Sequence, residues 1–366
     1  MYIHQLENWP HLSWQEKEIA LRLAEIKHLQ GRLAGRMEAL GFKLQEETYL
    51  KSVTEEVVKS SQIEGEILDQ VLVRSSVAYH LGIEQAALNV RDRNIDGIVQ
   101  LVLDATQNYS QALTKERLFH WHTWLFPTGE SGFKKIKMGG WRAGAVQVVS
   151  GHFGKETVHF EGPSADRVED EMCLFLDWVN HETTLDSVLK AAIAHFWFVT
   201  IHPFDDGNGR IGRAIADMLL ARSENNSHRF YSLSSQIQKE RKSYYNILEK
   251  TSKGSLQITS WIEWFFECLE RAIENSISTL NTVLNKSKFW EIVSNIPFNE
   301  RQRNVVNRLL EGFDGKLTTT KWAKITKCSQ DTAYRDILDL IEKGILSKSP
   351  EKGRSTSYFL IQKNEN

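Results

Sequence analysis

The chain has 366 residues, a formal net charge of −2 and 41% hydrophobic residues. This length predicts two or three domains, and the near-neutral charge excludes a globally basic nucleic-acid-binding protein while leaving local basic patches open. Three widely spaced cysteines predict reduced thiols rather than a disulfide framework. The N-terminus has no apolar signal core, and no apolar run approaches the ~18 residues of a membrane span, so we expect a soluble, cytoplasmic protein.

The first third of the chain has the pattern of amphipathic helices. In residues 14–50, which are rich in Glu, Lys, Leu, Arg and Ala, apolar residues recur with helical spacing. The stretch KSVTEEVVKSSQIEGEILDQ then predicts a helix that ends at Gly65, with Ser60 and Glu64 four residues apart on one face. Taken alone, this pair is typical of a solvated helix end.

Helical patterns continue through residues 77–109 and 114–126. His120 and His122 in the second of these segments are spaced like a metal-binding pair on a strand. Because residues two apart on a helix point in different directions, we interpret both histidines as structural.

The residue pattern changes between residues 133 and 160, where it predicts a β-hairpin. Here β-branched and polar residues alternate around a glycine-containing turn. The strand residues that would build the hairpin are Val146, Val148, Val158 and Phe160. A small packed hairpin without a binding role is the alternative at this point. A helix through residues 169–180 follows.

The most informative stretch, AAIAHFWFVTIHPFDDGNGRIGRAIADMLLAR, occupies residues 191–222. Its first part predicts a buried helix that ends at His202, because Pro203 disfavours a helical conformation in the residue before it. A second helix starts near Asn208. The glycines around that start let backbone amides approach a ligand at the positive end of the helix, which indicates an anion site. Singly, the features are weak: a histidine can simply pack, and Asp205 and Asp206 can cap a helix.

Together these features resemble the Fic family motif HxFx(D/E)GNGRxxR. Every fixed position matches: His202, Phe204, Asp206, Gly207, Asn208, Gly209, Arg210 and Arg213. Fic enzymes typically transfer AMP from ATP to a Ser, Thr or Tyr hydroxyl of a protein. The resemblance implies that His202 is the catalytic base and that Asp206 holds Mg²⁺, a cation that prefers carboxylate and phosphate oxygens.

The resemblance also implies a set of nucleotide-binding residues. They are Gly207, Asn208, Gly209, Arg210, Ile211, Gly212, Arg213 and Tyr245. Arg213 would reach the terminal phosphate, since a guanidinium suits bidentate phosphate contact. Tyr245 lies at the spacing of the family tyrosine beside the nucleotide. Family members often carry an asparagine a little further on, where this chain has Ser252, which leaves recognition of the base open.

Two further segments gain a role from the resemblance. SxxxEG, with Ser60 and Glu64, resembles the inhibitory motif (S/T)xxxE(G/N), in which the glutamate pairs with the second motif arginine. The implied pair, Glu64 with Arg213, would compete with the terminal phosphate of ATP. In Fic proteins a hairpin flap holds the target segment as an added edge strand, and Val146, Val148, Val158 and Phe160 would form that flap here.

The C-terminal part predicts a separate module. Helices are expected over residues 234–250 and 261–284, with a linker from residue 286. Residues 300–366 carry 13 Lys and Arg against 9 Asp and Glu, a net charge of +4. Their pattern resembles a winged helix, with Ser329–Arg335 beginning the recognition helix and Lys352 and Arg354 in the wing. DNA binding is one interpretation, and a dimerisation or target-docking module is the other because the charge is modest.

The sequence thus predicts a mainly α fold in three regions: a helical region 1–110 with the inhibitory helix, a Fic core 111–285, and a linker with a winged helix 286–366. The predicted function is protein adenylylation with Mg²⁺ and ATP, restrained by Glu64, on a protein hydroxyl that could belong to the enzyme itself. Removal of AMP by a water that Glu64 activates is an alternative. A DNA-binding regulator whose Fic core senses nucleotide is another. A homodimer is left open.

Overall fold

The periodic segments of the sequence are helices in the computed structural model, which describes residues 1–83, 92–132, 134–150, 157–313, 315–350 and 356–361. The chain divides into two units, residues 1–276 and residues 277–366. The first unit contains the predicted N-terminal region and most of the predicted Fic core. Within the described residues, every helix is either too short or too polar to cross a lipid bilayer. The mainly α prediction is confirmed.

The helices of the first unit begin where the sequence offers capping residues. Asp69, Asp92, Thr114 and Asp186 each accept a hydrogen bond from a backbone N–H of the turn that follows. The helices are α1 Glu16–Glu38, α2 Phe42–Ile63, α3 Gln70–His80, α4 Arg93–Gln107, α5 Lys115–Leu125, α6 Val168–His181, α7 Ser187–Ile201, α8 Asn208–Glu224, α9 Leu233–Lys239, α10 Arg241–Ser252 and α11 Thr259–Ile292. Helices α9 and α10 correct the single helix predicted over residues 234–250, because the backbone leaves the helical conformation at Glu240.

Helix α7 forms the centre of the first unit. Its side chains are apolar on nearly every face, and Ala191, Phe196 and Ile201 are fully buried. A helix that is hydrophobic all round belongs in a core, which explains this position. Helix α8 packs against α7, and its Ile211 and Ile215 are also fully buried. The end of α7 and the start of α8 are therefore held in a fixed relation by the core itself.

A short antiparallel hairpin lies between α5 and α6. Its strands are β3 Gln147–Ser150 and β4 Thr157–Glu161, with a bulge between Val148 and Val149. Val148 pairs with Phe160, whereas Val158 pairs with Val149. The predicted glycine-containing turn falls outside the described residues. A second strand pair, β1 Glu130–Ser131 with β2 Lys134–Lys135, precedes the hairpin and has no counterpart in the sequence prediction.

The second unit has its own core. Its elements after α11 are α12 Glu300–Leu310, α13 Thr319–Thr326, α14 Gln330–Glu342, β5 Leu346–Lys348 and β6 Tyr358–Leu360. Trp322 and Ile337 are fully buried in this core. Where the sequence predicts a linker from residue 286, α11 continues to Ile292, and the apolar side chains of Phe289 and Trp290 pack on this core. Lys352 and Arg354, predicted to lie in a wing, are outside the described residues.

Candidate active site

The loop between α7 and α8 carries the motif, and the core fixes its shape. His202 ends α7 in the left-handed conformation, with φ 52°. The side-chain oxygen of Asn208 accepts from the Phe204 N–H at 2.9 Å, and its side-chain nitrogen donates to the Phe204 carbonyl at 2.9 Å. Phe204 is fully buried and stacks on His122, with ring centroids 4.3 Å apart. Asn208 and Phe204 thus anchor the loop, and His122 has the structural position expected of it.

The imidazole of His202 is oriented by its own helix. Its Nδ1 lies 3.2 Å from the carbonyl oxygen of Val199, which can only accept a hydrogen bond. Nδ1 therefore carries the hydrogen, and Nε2 is the nitrogen that can take a proton. Burial lowers the pKa of His202, and the charge of Arg142 lowers it further, while Glu64 and Asp206 act in the opposite direction. The net effect favours the neutral imidazole that a general base requires.

The two loop carboxylates have separate partners. Ser131 Oγ and the Gly207 N–H both donate to the Asp206 carboxylate, the latter at 2.6 Å. Asp205 accepts from the Lys137 N–H at 2.9 Å. No group of three or more His, Cys, Asp or Glu is placed to hold a metal anywhere in the described part of the chain. A lone carboxylate nevertheless suits Mg²⁺, which commonly binds one or two carboxylates together with substrate phosphates and water. Asp206 fits that requirement.

Arg213 is the most enclosed charge of the site, with 2% of its surface exposed. Its Nε donates to Ser60 Oγ at 2.9 Å and its Nη2 donates to the Ser60 carbonyl at 2.9 Å. Its Nη1 lies 2.8 Å from Glu64 Oε1. The end of α2 therefore supplies three polar contacts to this guanidinium, and Ser60 and Glu64 act on the same side chain.

Arg210 has a carboxylate partner that sequence reasoning missed. Its Nη1 donates to Glu66 Oε2 at 2.8 Å, and its guanidinium lies 5.1 Å from the centre of the Phe126 ring. Glu66 follows Gly65, whose φ of 91° turns the chain back towards α8. The sequence signal that could have suggested this contact was the position of Glu66, an acidic residue directly after the predicted helix end. Each motif arginine thus meets one carboxylate from residues 64–66.

A cavity of about 490 Å³ brings together predicted residues from the inhibitory segment, the hairpin, the motif and α10. Its walls come from the end of α2, the hairpin, the end of α7, the start of α8 and the length of α10. The lining residues include Glu64, Val148, Phe160, His202, Gly209, Tyr245 and Ser252. The volume lies within the ~300–1,000 Å³ usual for a small-molecule site.

Tyr245 and Tyr244 both line the cavity, but their hydroxyls have different partners. The Tyr245 hydroxyl lies 3.4 Å from Glu64 Oε2, and burial raises the pKa of Tyr245 to about 12. Tyr244 is 2% exposed, and its hydroxyl lies 2.8 Å from His195 Nε2 inside the core. Ser252 donates to the Glu249 carbonyl of its own helix, while Asn246, which sequence reasoning did not select, lines the cavity.

Some predicted residues lie elsewhere. Ile211 is fully buried, and Gly212 packs so closely on α7 that an added Cβ would lie 3.0 Å from Val199 Cγ1. Any contact of these two residues with a nucleotide would have to be made by the backbone. Val146 and Val158 are not among the described residues that line the cavity, and the Val158 side chain is 39% exposed. The hairpin faces the cavity through Val148, Val149 and Phe160 instead.

Two family models match the chain. Residues 2–83 match a family described as Domain of unknown function (DUF4172), and residues 112–220 match the Fic/DOC family. The second match includes the motif loop, and the first includes Ser60, Glu64 and Glu66. The contacts between the end of α2 and α8 therefore join residues that match one family model to residues that match the other.

Two protein adenylyltransferases are similar to parts of the chain. The chain is 36% identical over 83 residues to protein adenylyltransferase fic-1 of Caenorhabditis elegans, covering 22% of this chain and 16% of that protein. It is 30% identical over 132 residues to protein adenylyltransferase Fic of Drosophila willistoni, covering 35% of this chain and 25% of the relative. The chain therefore spans a quarter or less of the length of these relatives.

The crystal structure of a Fic family protein from Desulfovibrio desulfuricans matches with a TM-score of 0.55 at 20% identity, over 95% of this chain and 97% of the other. The two proteins share a fold. From the family match over the motif loop, the conclusion follows that residues 112–220 form a Fic/DOC domain.

Proposed function

We propose that the protein transfers AMP from MgATP to a Ser, Thr or Tyr hydroxyl of a protein. The observation that carries this proposal is the position of His202: its Nε2 is the proton-accepting nitrogen, and the residue lines the same cavity as Gly209 at the start of α8. A base and a helix N-terminus that attracts anions therefore line one cavity, where both could act on the same nucleotide. The names of the matched relatives, protein adenylyltransferases, support the same reaction.

Residues at the start of α8 would hold the triphosphate. The backbone amides at Gly207, Asn208 and Gly209 and the guanidinium of Arg210 would surround the phosphates, and Arg213 would reach the terminal one. Mg²⁺ held at Asp206 would neutralise phosphate charge. Tyr245 and Asn246 belong to the α10 wall, which would lie along the nucleoside. ATP is the donor that the relatives' names support.

The transfer is a displacement at phosphorus. The acceptor oxygen forms a bond to the α-phosphorus of ATP, the bond from that phosphorus to the bridging oxygen breaks, and pyrophosphate leaves. Nε2 of His202 takes the hydroxyl proton as the oxygen attacks. The hairpin would hold the acceptor segment by adding it as a strand, which brings the hydroxyl to the His202 side of the cavity.

Glu64 would restrain this activity. Its carboxylate holds the guanidinium that the terminal phosphate needs, and its own negative charge repels that phosphate. The structure would then correspond to a restrained form, in which ATP can enter only with its terminal phosphate displaced.

The test is incubation of the purified protein with labelled nucleotides, one base at a time, followed by mass spectrometry of the protein itself. The proposal predicts an added AMP on a Ser, Thr or Tyr residue, increased in Glu64→Gly. Absence of any nucleotide adduct in both proteins, with ATP bound, would reject it.

A second candidate, hydrolytic removal of AMP from a modified protein, is favoured by one observation. The Glu64 carboxylate lines the same cavity as His202 and is 33% exposed, so it could orient a water within that cavity. Loss of AMP release from an adenylylated protein on Glu64→Gly, without any gain in transfer, would support this candidate over the first.

A further inference from the structure

Arg142 is a buried cation whose hydrogen bonds all go to backbone carbonyls. It is 3% exposed and lies shortly before β3. Its Nε donates to the His202 carbonyl at 2.8 Å, and its Nη1 donates to the Gly144 carbonyl at 2.7 Å. Its Nη2 donates to the carbonyls of Pro163 at 2.5 Å and Ile201 at 3.4 Å. Four contacts from one planar group use nearly all of the five N–H donors of a guanidinium.

These carbonyls belong to three different segments. Gly144 precedes β3 and Pro163 follows β4, so Arg142 joins the two ends of the hairpin. Ile201 and His202 end α7, where the last carbonyls of a helix have no partners within the helix. The backbone N–H of Arg142 also contacts the motif loop, since it donates to the Pro203 carbonyl at 2.9 Å.

The contact with His202 matters because that residue has an unfavourable backbone conformation. A non-glycine residue with positive φ persists only where its surroundings fix it. Val199 orients the imidazole, and Arg142 holds the carbonyl of the same residue. Gly162 lies close to all of these groups, because a Cβ there would lie 2.8 Å from Val146 Cγ1, 3.2 Å from Arg142 Nη2 and 3.5 Å from His202 Cβ.

We propose that Arg142 is a positioning residue for the transfer, which sets the imidazole of His202 against the hairpin that would hold the acceptor. This inference rests on the proposed function. Without the Arg142 side chain, the end of α7 and the two ends of the hairpin lose the side-chain hydrogen bonds that join them, whereas the α8 residues that would bind phosphate keep their own contacts. Loss of Arg142 should therefore slow the transfer step and leave nucleotide binding largely intact. The nearby positive charge also helps to keep the imidazole neutral.

The experiment compares Arg142→Met with the matched control Arg117→Met, both in a Glu64→Gly background. Arg117 is also enclosed, with 10% of its side chain exposed. It donates to the carbonyls of Asp104, Asn108 and Gln111 away from His202, and its Nε also pairs with the Asp104 carboxylate at 2.8 Å. We expect the rate of self-labelling at saturating MgATP to fall ~100-fold in Arg142→Met, the size of effect that a misplacement of about 1 Å can have. The half-saturating ATP concentration should stay within about twofold. Arg117→Met should keep the parent rate.

A labelling rate in Arg142→Met equal to that of Arg117→Met would overturn the inference, whereas no labelling by the Glu64→Gly parent would instead reject the proposed function. The NMR signal of the His202 ring, assigned by its loss in His202→Ala, gives a readout without activity. It should shift in Arg142→Met and not in Arg117→Met, and an unmoved signal would also overturn the inference. If Arg142→Met does not fold, Gly162→Ala keeps the arginine but crowds both Arg142 and Val146, and it should slow labelling in the same way.

Discussion

The Glu64 carboxylate lies directly against Gly209 in the first turn of α8. An added Cβ at Gly209 would lie only 2.0 Å from Glu64 Oε1. The same oxygen is 2.8 Å from Arg213 Nη1. Because Gly209 has no side chain, an anion can approach the backbone of the helix N-terminus. In this structure that anion is the carboxylate of Glu64. A phosphate and this carboxylate would compete for one place.

Glu64→Gly should raise AMP transfer ~10-fold or more. A charge-assisted hydrogen bond contributes about 1.5–3 kcal/mol, and each 1.4 kcal/mol is a factor of ten. Arg213→Ala breaks the same ion pair but should not activate, because the arginine is also needed to place ATP. Labelling rates and thermal unfolding of both variants check this. If the two changes only destabilise the fold and neither activates, the pair is merely structural.

Glu66→Gln should strengthen nucleotide binding by up to about fivefold. The Glu66 side chain is 42% exposed, so its pair with Arg210 should contribute no more than ~1 kcal/mol. Removing its charge frees the guanidinium for phosphate. Glu47→Gln, which breaks the exposed pair with Arg74, is the control and should leave ATP affinity unchanged. Weaker ATP binding in Glu66→Gln, measured by calorimetry, would mean that Glu66 orients Arg210 for phosphate instead.

His202→Ala should abolish transfer while ATP affinity stays within about twofold, because the phosphate-binding groups are separate from the base. Asp206→Ala should instead lower ATP affinity only when Mg²⁺ is present. Calorimetric titrations with and without Mg²⁺, together with labelling assays, distinguish the two effects. Undiminished labelling by His202→Ala would remove it from the role of base.

The rate of transfer by Glu64→Gly should be independent of pH above about 7. Burial places the pKa of His202 below its ordinary value of 6.5, and only the deprotonated imidazole can take the hydroxyl proton. The rate should therefore fall as the pH drops through that lowered pKa. The negative charge of Glu64 raises this pKa, so its loss in Glu64→Gly moves the fall in rate to a still lower pH. A rate that keeps climbing between pH 7 and 9 would contradict this assignment.

DNA binding by the second unit can be tested at α14. Arg335 and Tyr334 are exposed near its start, where the winged-helix resemblance places the recognition helix. If this face binds duplex DNA, Arg335→Ala should weaken binding and reduce the salt dependence by about one ion. Lys43→Ala, an exposed cation of the first unit, is the control. No measurable duplex affinity of the intact protein at low salt would favour the docking or dimerisation alternative.

The sequence by itself determined the motif loop and the helices on either side of it. Proline and glycine restrict the backbone locally, so the end of α7 at His202 and the start of α8 at Asn208 could be read directly. The inhibitory segment ending at Glu64 could be selected only by resemblance, since a serine and a glutamate four apart on a helix have no distinctive chemistry. The break at Glu240 and the continuation of α11 through residue 286 could not be read, because packing overrides weak local preferences.

Only the tertiary structure decided which side chains meet. Glu66 and Arg210 are separated by 144 positions, and no local pattern pairs them. The same holds for Ser131 with Asp206, and for Arg142 with the carbonyl of His202. Every residue has a backbone carbonyl, so a sequence does not show which carbonyls a side chain will contact. A residue that acts through such contacts can be identified only in the folded structure. Hydrophobic burial of α7 and α8 creates these contacts: it fixes the motif loop and brings the end of α2 and the hairpin against it.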